Sequence, residues 1–158
     1  MAIDTRIQRG VMRRFATGVT VVTTGGPMGT HGMTANAVAS LSLDPPLLLV
    51  AVDKRAHLLG HLKVNRCFAL NILRLDQEDV SRRFALPGPK DFKGLDVFTD
   101  ATGAPIIAGC LAHADCRVVE ILPGGDHEIF LGEIVGGAVD DDGAPLIYFA
   151  GGYRRLAD

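Results

Sequence analysis

The sequence contains no tryptophan and only three cysteines, Cys67, Cys110 and Cys116. The cysteines include no Cys-x-x-C pair, and an odd number of them argues against a framework of disulfide bonds. No apolar segment follows the N-terminal arginines as it would in a secretory signal. No apolar run reaches the roughly 18 residues that a membrane helix requires. We therefore expect a protein of the reducing cytoplasm, without a membrane as partner.

The chain also lacks an excess of charge of either sign. Its formal net charge is −2, which gives no reason to expect nucleic acid or an anionic membrane as a partner. It has 158 residues, and 47% of them are hydrophobic. A chain of this size and composition can bury one core, so we assign residues 1–158 to a single domain.

Common signatures of catalysis and nucleotide binding are absent as well. The sequence has no Gly-x-Ser-x-Gly elbow, and neither the Gly-x-Gly-x-x-Gly nor the Walker A pattern occurs. His57 and His61 have the spacing of zinc ligands, but the glutamate of a His-Glu-x-x-His motif is missing between them. We therefore expect no metal, and we interpret the two histidines as a pair on a helix surface.

Glycine, by contrast, is abundant, with 19 residues, several of them in pairs such as Gly25-Gly26 and Gly136-Gly137. Paired glycines are typical of a β-rich chain with many turns and bulges. Apolar spacing and β-branched runs predict the individual elements. The predicted helices cover residues 4–16 (with Asp4 as N-cap and Gly18 as stop), 57–64 and 77–85, and the predicted strands cover residues 19–24, 31–46, 47–52, 67–73, 110–122, 128–139 and 145–149.

The order of these elements predicts the fold class. Strands follow one another and do not alternate with long helices, which argues against a parallel Rossmann-type sheet. The run 47–52 is apolar throughout, which predicts a strand buried on both faces. We expect a mainly β (β-rich α+β) chain that forms an antiparallel barrel with a few peripheral helices.

The segment from His31 to Pro46 is the most informative part of the chain. It places small hydroxyl and amide side chains among short apolar ones and ends in an Asp-Pro-Pro turn. One interpretation is a strand against whose backbone a flat ligand can lie. The other is an edge strand whose threonine and serine side chains face water, and composition alone favours this second interpretation.

Three further sites carry polar groups that could bind a ligand. Residues 53–57 combine two cations with the start of a predicted helix, which suits an anion, although a solvated turn has the same composition. His127 follows Asp126 in a predicted hairpin turn, where the carboxylate could orient the imidazole or merely cap the turn. Tyr153 lies between a glycine and an arginine, a composition typical of a flexible tail.

Taken in order, these segments resemble one family, the short-chain flavin reductases that serve as reductase components of two-component flavin-dependent monooxygenases. The resemblance covers about residues 10 to 156. Each matching segment is short, but the ordered set is specific. The segments are Phe15–Thr23, Gly32–Asn36, Ser42–Leu47, Phe68–Leu73, Phe84-Ala85, Phe92–Gly94, Gly125–His127, Gly132, Pro145–Tyr148 and Gly152-Tyr153.

The resemblance implies a Greek-key split β-barrel of the FMN-binding type, usually a homodimer. It further implies that NADH or NADPH reduces FMN or FAD by hydride transfer from nicotinamide C4 to flavin N5, a reaction that needs no protein nucleophile. The reduced flavin would then leave for a partner monooxygenase. Two alternatives stay open: a flavin-binding split barrel without free-flavin reductase activity, and a haem- or ligand-binding module on a related barrel.

The resemblance also implies a role for particular residues. It assigns the wall beside the isoalloxazine and ribityl chain to Thr34, Ala35 and Asn36, continued by Ser40, Ser42 and Leu43. It assigns the flavin phosphate to Asp53, Lys54, Arg55 and His57, and a loop beside the flavin to Phe92, Lys93 and Gly94. It assigns contact with the nicotinamide to His127, the expected catalytic residue, and closure of the site to Tyr153.

Three positions depart from the family pattern. Ala37 and Ala56 stand where relatives commonly have serine, and His57 stands where threonine or serine is common. The missing hydroxyls would otherwise donate hydrogen bonds to the phosphoribityl chain. The sequence therefore does not decide between FMN and FAD. It also does not decide between NADH and NADPH, because the basic residues of the first predicted helix suit a 2′-phosphate and water equally.

Overall fold

The fold is described by a computed structural model that covers residues 1–157. Its helices are α1 Thr5–Met12, α2 His57–Asn65 and α3 Glu78–Ala85, the last preceded by a 3₁₀ turn at Leu75–Gln77. Its strands are β1 Thr17–Gly18, β2 Thr20–Thr24, β3 His31–Ala35, β4 Val38–Leu43, β5 Pro46–Asp53, β6 Cys67–Ile72, β7 Val97–Phe98, β8 Ile106–Ile107, β9 Ala112–Gly124, β10 His127–Val139, β11 Ile147–Phe149 and β12 Gly152–Arg154. The predicted β-rich class is confirmed. Within residues 1–157, none of the helices has the length and apolar character needed to cross a membrane.

The main sheet is antiparallel and has seven strands in the order β3-β2-β6-β9-β10-β5-β4. Its two edge strands, β3 and β4, are joined by Asn36 and Ala37 alone. Three successive Cα–Cα steps span at most about 11 Å, whereas the edges of a flat sheet of this width would lie roughly 29 Å apart. The sheet must therefore curl on itself. No ladder joins β3 to β4 within residues 1–157, so the barrel is split at this point.

This topology corrects the prediction of one strand over residues 31–46. The chain instead forms β3 and β4, which lie at opposite edges of the sheet. The alternation of side chains along a strand reports its two faces, but it carries no information about which neighbour the strand pairs with. The break at Asn36 and Ala37 is the place where the chain crosses from one edge to the other.

The core lies inside the curled sheet, and β5 shows how the sequence fills it. Leu48, Val50 and Val52 are buried, whereas the alternate residues Leu47 and Leu49 are only half-buried. The prediction that this run is buried on both faces is therefore wrong, because β5 belongs to an antiparallel sheet with one face on the core. Each fully buried aliphatic side chain contributes about 1.5–3 kcal/mol to stability.

The first helix differs from its prediction in length and surroundings. Asp4 caps α1 by accepting a hydrogen bond from the Arg6 amide at 2.8 Å, as predicted, but the helix ends at Met12 and does not continue to residue 16. Gly18, the predicted stop, lies in β1. The apolar side chains of Ile7, Val11 and Phe15 are exposed, with Phe15 at 70%. The sequence pattern of an amphipathic helix is present, yet no other element of residues 1–157 covers its apolar face.

A second, three-stranded sheet has the order β1-β11-β12 and packs against α3 through Tyr153. Its last strand corrects the interpretation of the C-terminal segment as a flexible tail. Tyr153 pairs with Tyr148 across β11 and β12 and packs on the cluster formed by Leu73, Val80 and Phe84. The strand thereby holds Tyr153 in a fixed position beside β3.

Candidate active site

A groove of three neighbouring cavities follows β3 and the chain beyond it. The histidine cavity, about 300 Å³, is bordered by His31, Thr34, Arg55, His57 and Lys90 among others. The tyrosine cavity, about 190 Å³, is bordered by Thr34, Asn36, Ser81, Tyr148 and Tyr153 among others. The outer cavity, about 490 Å³, is bordered by Phe15, Asn36 and Ser40 among others. Thr34 borders the first two cavities and Asn36 the last two, so the groove is continuous.

The wall along β3 is made of small residues held in place by backbone contacts. The Thr34 hydroxyl donates a hydrogen bond to the Ser81 carbonyl at 2.6 Å, which fixes β3 against α3. At Gly32, a Cβ atom would lie 2.8 Å from the Phe84 ring, so only glycine allows α3 to approach this closely. Ala35, the next wall residue, borders the tyrosine cavity. The hypothesis that a flat ligand lies along this strand therefore has a matching surface.

Beyond the strand break, the predicted wall continues only in part. Asn36 donates a hydrogen bond to the Thr17 hydroxyl at 3.4 Å, and Ser40 borders the outer cavity. Ser42 and Leu43 lie outside the groove, and Leu43 is 93% exposed. A bulge between Ser40 and Ser42 explains the difference, since it changes the face that successive residues of β4 present.

Tyr153 is fixed at the tyrosine cavity by contacts on three sides. Its hydroxyl lies 2.7 Å from the Ser81 hydroxyl, and its ring meets the Tyr148 ring edge-on at 5.5 Å. The Arg82 guanidinium lies 4.9 Å from the ring centroid, within the range of a cation–π interaction. The structure thus places Tyr153 beside the predicted wall.

The residues of the predicted phosphate segment divide between two cavities. Arg55 and His57 border the histidine cavity, whereas Lys54 lies beside Lys63 and Glu128 at a separate cavity. Asp53 accepts hydrogen bonds from the Arg55 backbone and side chain, the shortest at 2.8 Å. The Arg55 guanidinium thereby holds the pKa of Asp53 well below its usual range. Asp53 therefore orients Arg55 and does not itself face the cavity.

The start of α2 adds a second feature that suits an anion. Ala56 is the N-cap residue, and its methyl side chain offers no acceptor to the first amides of the helix. Four amides at a helix start have no partner within the helix, and side chains, water or ligands satisfy them. Their dipoles attract negative charge. The Ala56 amide donates to the Asp53 carbonyl at 2.9 Å and the Leu59 amide to the Ala56 carbonyl at 3.1 Å. Ala56, which departs from the family pattern, therefore leaves the His57 and Leu58 amides available at the histidine cavity.

The loop at residues 92–94 supports the groove from behind. The Phe92 ring packs on the Phe84 ring with centroids 5.2 Å apart, and the Lys93 carbonyl accepts a hydrogen bond from Arg83 at 2.8 Å. Gly94 has φ +79°, a conformation that favours glycine. The structure thus places Phe92, Lys93 and Gly94 next to the α3 wall rather than at the groove surface.

His127 lies at the start of β10, directly opposite Asp53 of β5 in the strand register. Its Nδ1 atom is 2.7 Å from an Asp126 carboxylate oxygen, so the predicted contact between the two side chains is present. This contact lowers the pKa of Asp126. The half-buried imidazole is therefore held near Asp53, the residue that engages Arg55.

Four residues with polar side chains border the histidine and tyrosine cavities but have no place in the sequence-based assignment: His31, Ser81, Lys90 and Tyr148. Two of them had a usable signal, because His31 begins the most informative segment and Tyr148 belongs to a matching motif. Ser81 and Lys90 had none, since a serine in a helix and a lysine in a loop are ordinary surface residues.

Comparisons with known proteins identify the family of this chain. Residues 12–157 match the model of the flavin reductase like domain. An NADH-dependent FAD reductase of Streptomyces globisporus is 41% identical over 96% of this chain and 86% of its own length. The reductase component of 4-hydroxyphenylacetate 3-monooxygenase of Thermus thermophilus is 42% identical over 92% of each chain.

A solved structure extends the likeness to three dimensions. The NADH:FAD oxidoreductase SgcE6 of Streptomyces globisporus, in complex with NAD and FAD fragments, superimposes with a TM-score of 0.92 at 39% identity, covering 99% of this chain and 97% of the other. The chain belongs to the family of flavin reductase-like domains. It is a flavin reductase, an oxidoreductase that acts on a flavin and a nicotinamide nucleotide, as the resemblance predicted.

Proposed function

We propose that this chain uses NADH to reduce FMN or FAD along the β3 groove and that the reduced flavin leaves for a partner monooxygenase. The observation that carries the proposal is the continuity of the groove from a wall of small residues at Thr34 and Asn36 to a cationic end at Arg55 and Lys90. NADH is favoured over NADPH because two relatives that match most of this chain are named NADH-dependent reductases.

The residues of the groove fit a flavin nucleotide. A planar ring system can lie against the backbone of β3 beside Ala35, whose methyl side chain leaves the tyrosine cavity open. A phosphate group suits the histidine cavity, where Arg55 and the uncapped start of α2 converge. FMN and FAD share both of these parts, so the groove fits either nucleotide.

When bound, the flavin accepts a hydride from the nicotinamide, and this chemistry belongs to the two nucleotides. The chain contributes positioning and electrostatics. Thr34 and Asn36 hold the ring system, Tyr153 covers it from the side of β12, and Arg55 holds the phosphate. His127, oriented by Asp126, positions the nicotinamide at the end of the groove.

The proposed assembly is a homodimer. Ile7, Val11 and Phe15 present an apolar face, and Phe15 also borders the outer cavity. A second copy of the chain would bury this face next to the groove.

A cytoplasmic location is supported by the three free cysteines. Burial raises the pKa of the Cys110 thiol to about 11 and the pKa of the Cys116 thiol to about 12, so both thiols stay protonated at neutral pH. We propose neither nucleic acid nor membrane as a partner.

Turnover of excess flavin tests the proposed function. Purified protein is mixed without oxygen with NADH and a hundredfold excess of FMN, FAD or riboflavin, and the nicotinamide and flavin absorbance bands are followed. Reduction of many flavins per chain is expected, because the product leaves. Reduction of one flavin per chain, or a yellow protein that ignores NADH, would instead identify a flavin-binding protein without reductase activity. A protein that neither binds nor reduces flavin would exclude both the reductase and the flavin-binding protein.

A further inference from the structure

Three histidines meet at the cationic end of the groove. The His31 ring lies 4.7 Å from the His61 ring and 6.2 Å from the His57 ring, centroid to centroid. His31 borders the histidine cavity and is only 5% exposed. Among the residues described, 1–157, neither of its ring nitrogens has a hydrogen-bond partner.

A buried polar group without a partner is uncommon in folded proteins and calls for an explanation. His57 and His61 do not supply the partner, since the Nδ1 atom of His61 is engaged with the His57 carbonyl at 3.0 Å. Because the His31 ring borders a cavity, a ligand that enters the cavity can supply it.

The groups that face His31 are cationic or can become so. His57 and His61 face it from α2, and Lys90 faces it from the loop after α3. Arg55 borders the same cavity from the turn before α2, and Asp53, the carboxylate of that turn, is engaged with Arg55. Burial, together with these neighbours, lowers the pKa of His31 to about 4. The Gly88 carbonyl approaches the ring without hydrogen-bond geometry and acts in the opposite direction. The ring is therefore neutral in the free protein at neutral pH.

A phosphate group in this cavity would oppose these effects and raise the pKa of His31. A nearby anion favours the protonated form of an imidazole, and a protonated ring is a strong donor to a phosphate oxygen. With the phosphate part of the flavin nucleotide in the histidine cavity, as the proposed function requires, we propose that His31 takes up one proton from solution as the phosphate binds. The identity of the ligand rests on the proposed function, whereas the proton uptake belongs to the site itself. No covalent bond forms or breaks in this step.

The sign of the pH dependence follows from linkage. The bound state holds one more proton on His31 than the free state, so affinity rises as pH falls from the pKa of the bound ring towards the pKa of the free ring. The slope is at most about tenfold per pH unit. FAD is the probe, because the single phosphate of FMN itself titrates near pH 6. Riboflavin, which has no phosphate, is the reference.

The experiment measures the affinities of FAD and riboflavin between pH 5.5 and 7.5 by quenching of flavin fluorescence. The ratio of FAD to riboflavin affinity should rise by about tenfold over this range as pH falls. Calorimetry in buffers of different ionisation enthalpy should show net proton uptake with FAD and none with riboflavin. These measurements use the natural chain and need no variant.

Variants then identify the residue that takes up the proton. His31→Gln retains a polar side chain that does not titrate, so the affinity ratio should lose its pH dependence while riboflavin affinity stays unchanged. His113→Gln is the matched control, because His113 is a little-exposed histidine that pairs with Asp100 away from the groove. If His61→Gln abolished the pH dependence and His31→Gln did not, the assignment to His31 would be wrong.

Two failures can be told apart. If the chain reduces flavin but the affinity ratio is independent of pH, the proton uptake is refuted and the proposed function stands. If the chain neither binds nor reduces flavin, the proposed function fails, and inorganic sulfate, a dianion that does not titrate in this pH range, then tests the cavity alone. Binding of sulfate with proton uptake would support the site, and no binding would overturn it.

Discussion

The hydroxyl groups of Tyr153 and Ser81 lie 2.7 Å apart and share a hydrogen bond that joins β12 to α3. The Ser81 carbonyl in turn accepts the hydrogen bond of Thr34 at 2.6 Å. One short chain of contacts therefore links the C-terminal strand, the third helix and the wall of the groove. The position of Tyr153 depends on α3, so a substitution in β12 or in α3 should change the affinity for the ligand.

Removal of the Tyr153 hydroxyl tests this link. Tyr153→Phe should weaken flavin affinity about fivefold, the effect of losing one hydrogen bond that holds the cavity in shape. Fluorescence titration measures the affinity. Tyr148→Phe is the control, since Tyr148 contacts the Tyr153 ring by its edge and leaves the Ser81 contact intact. An equal loss in both variants would argue against a specific role for the Ser81 contact.

The close approach of α3 to β3 makes Gly32 sensitive to a single added carbon. Gly32→Ala places a Cβ atom 2.8 Å from the Phe84 ring, so the free energy of unfolding should fall by about 1–3 kcal/mol. Gly10→Ala in α1 is the matched control, because nothing lies within 4 Å of its Cβ position. That change should be neutral or stabilise by about 0.5–1 kcal/mol. Urea denaturation measures both, and similar values would contradict the proposed packing constraint.

Arg55 and Lys54 are neighbours in sequence but border different cavities. Arg55→Ala should lower FMN affinity about tenfold and leave riboflavin affinity unchanged, because Arg55 contacts only the phosphate in the proposed complex. Lys54→Ala removes the same charge outside the groove and should have a much smaller effect. If Arg55→Ala lowered the affinities for FMN and riboflavin equally, Arg55 would not be the residue that binds the phosphate.

His127 is predicted to act on the nicotinamide. His127→Ala should raise the KM for NADH about fivefold to tenfold while flavin affinity stays unchanged. Asp126→Asn should shift the KM in the same direction by less, since the carboxylate only orients the imidazole. Steady-state kinetics at saturating flavin measures both effects. Unchanged kinetics in His127→Ala would end its assignment as the catalytic residue.

The apolar face of α1 predicts self-association. Val11→Asp places a charge in the proposed interface and should shift the chain from dimer to monomer in analytical ultracentrifugation. Gln8→Asp adds a charge elsewhere on the same helix and serves as control. A natural chain that sediments as a monomer at every concentration would refute the dimer. A dimer untouched by Val11→Asp would place the interface elsewhere.

The sequence predicted the strands better than their arrangement. The long hairpin of β9 and β10 agrees with its prediction within two residues at each end, because its apolar pattern and its glycine-rich turn are local signals. The separation of β3 from β4 escaped prediction, since strand pairing depends on distant partners.

The same distinction holds for the candidate site. Thr34, Asn36 and Tyr153 were predicted from motifs, and the structure places all three at the groove. The surroundings of His31 could not be predicted, because its neighbours His57 and His61 come from α2, which is separated from β3 by two strands in the chain. A bulge such as that in β4 is equally invisible to a pattern of alternating residues.

The split between β3 and β4 leaves backbone groups exposed where the ligand is proposed to lie. Each of the two strands pairs on one side only, so alternate amides and carbonyls along its other side have no strand partner within residues 1–157. In a closed barrel, these groups of β3 and β4 would form hydrogen bonds with one another. The missing ladder thus supplies a row of main-chain donors that no side-chain substitution can remove, and exchange of their amide hydrogens with solvent should slow when flavin binds.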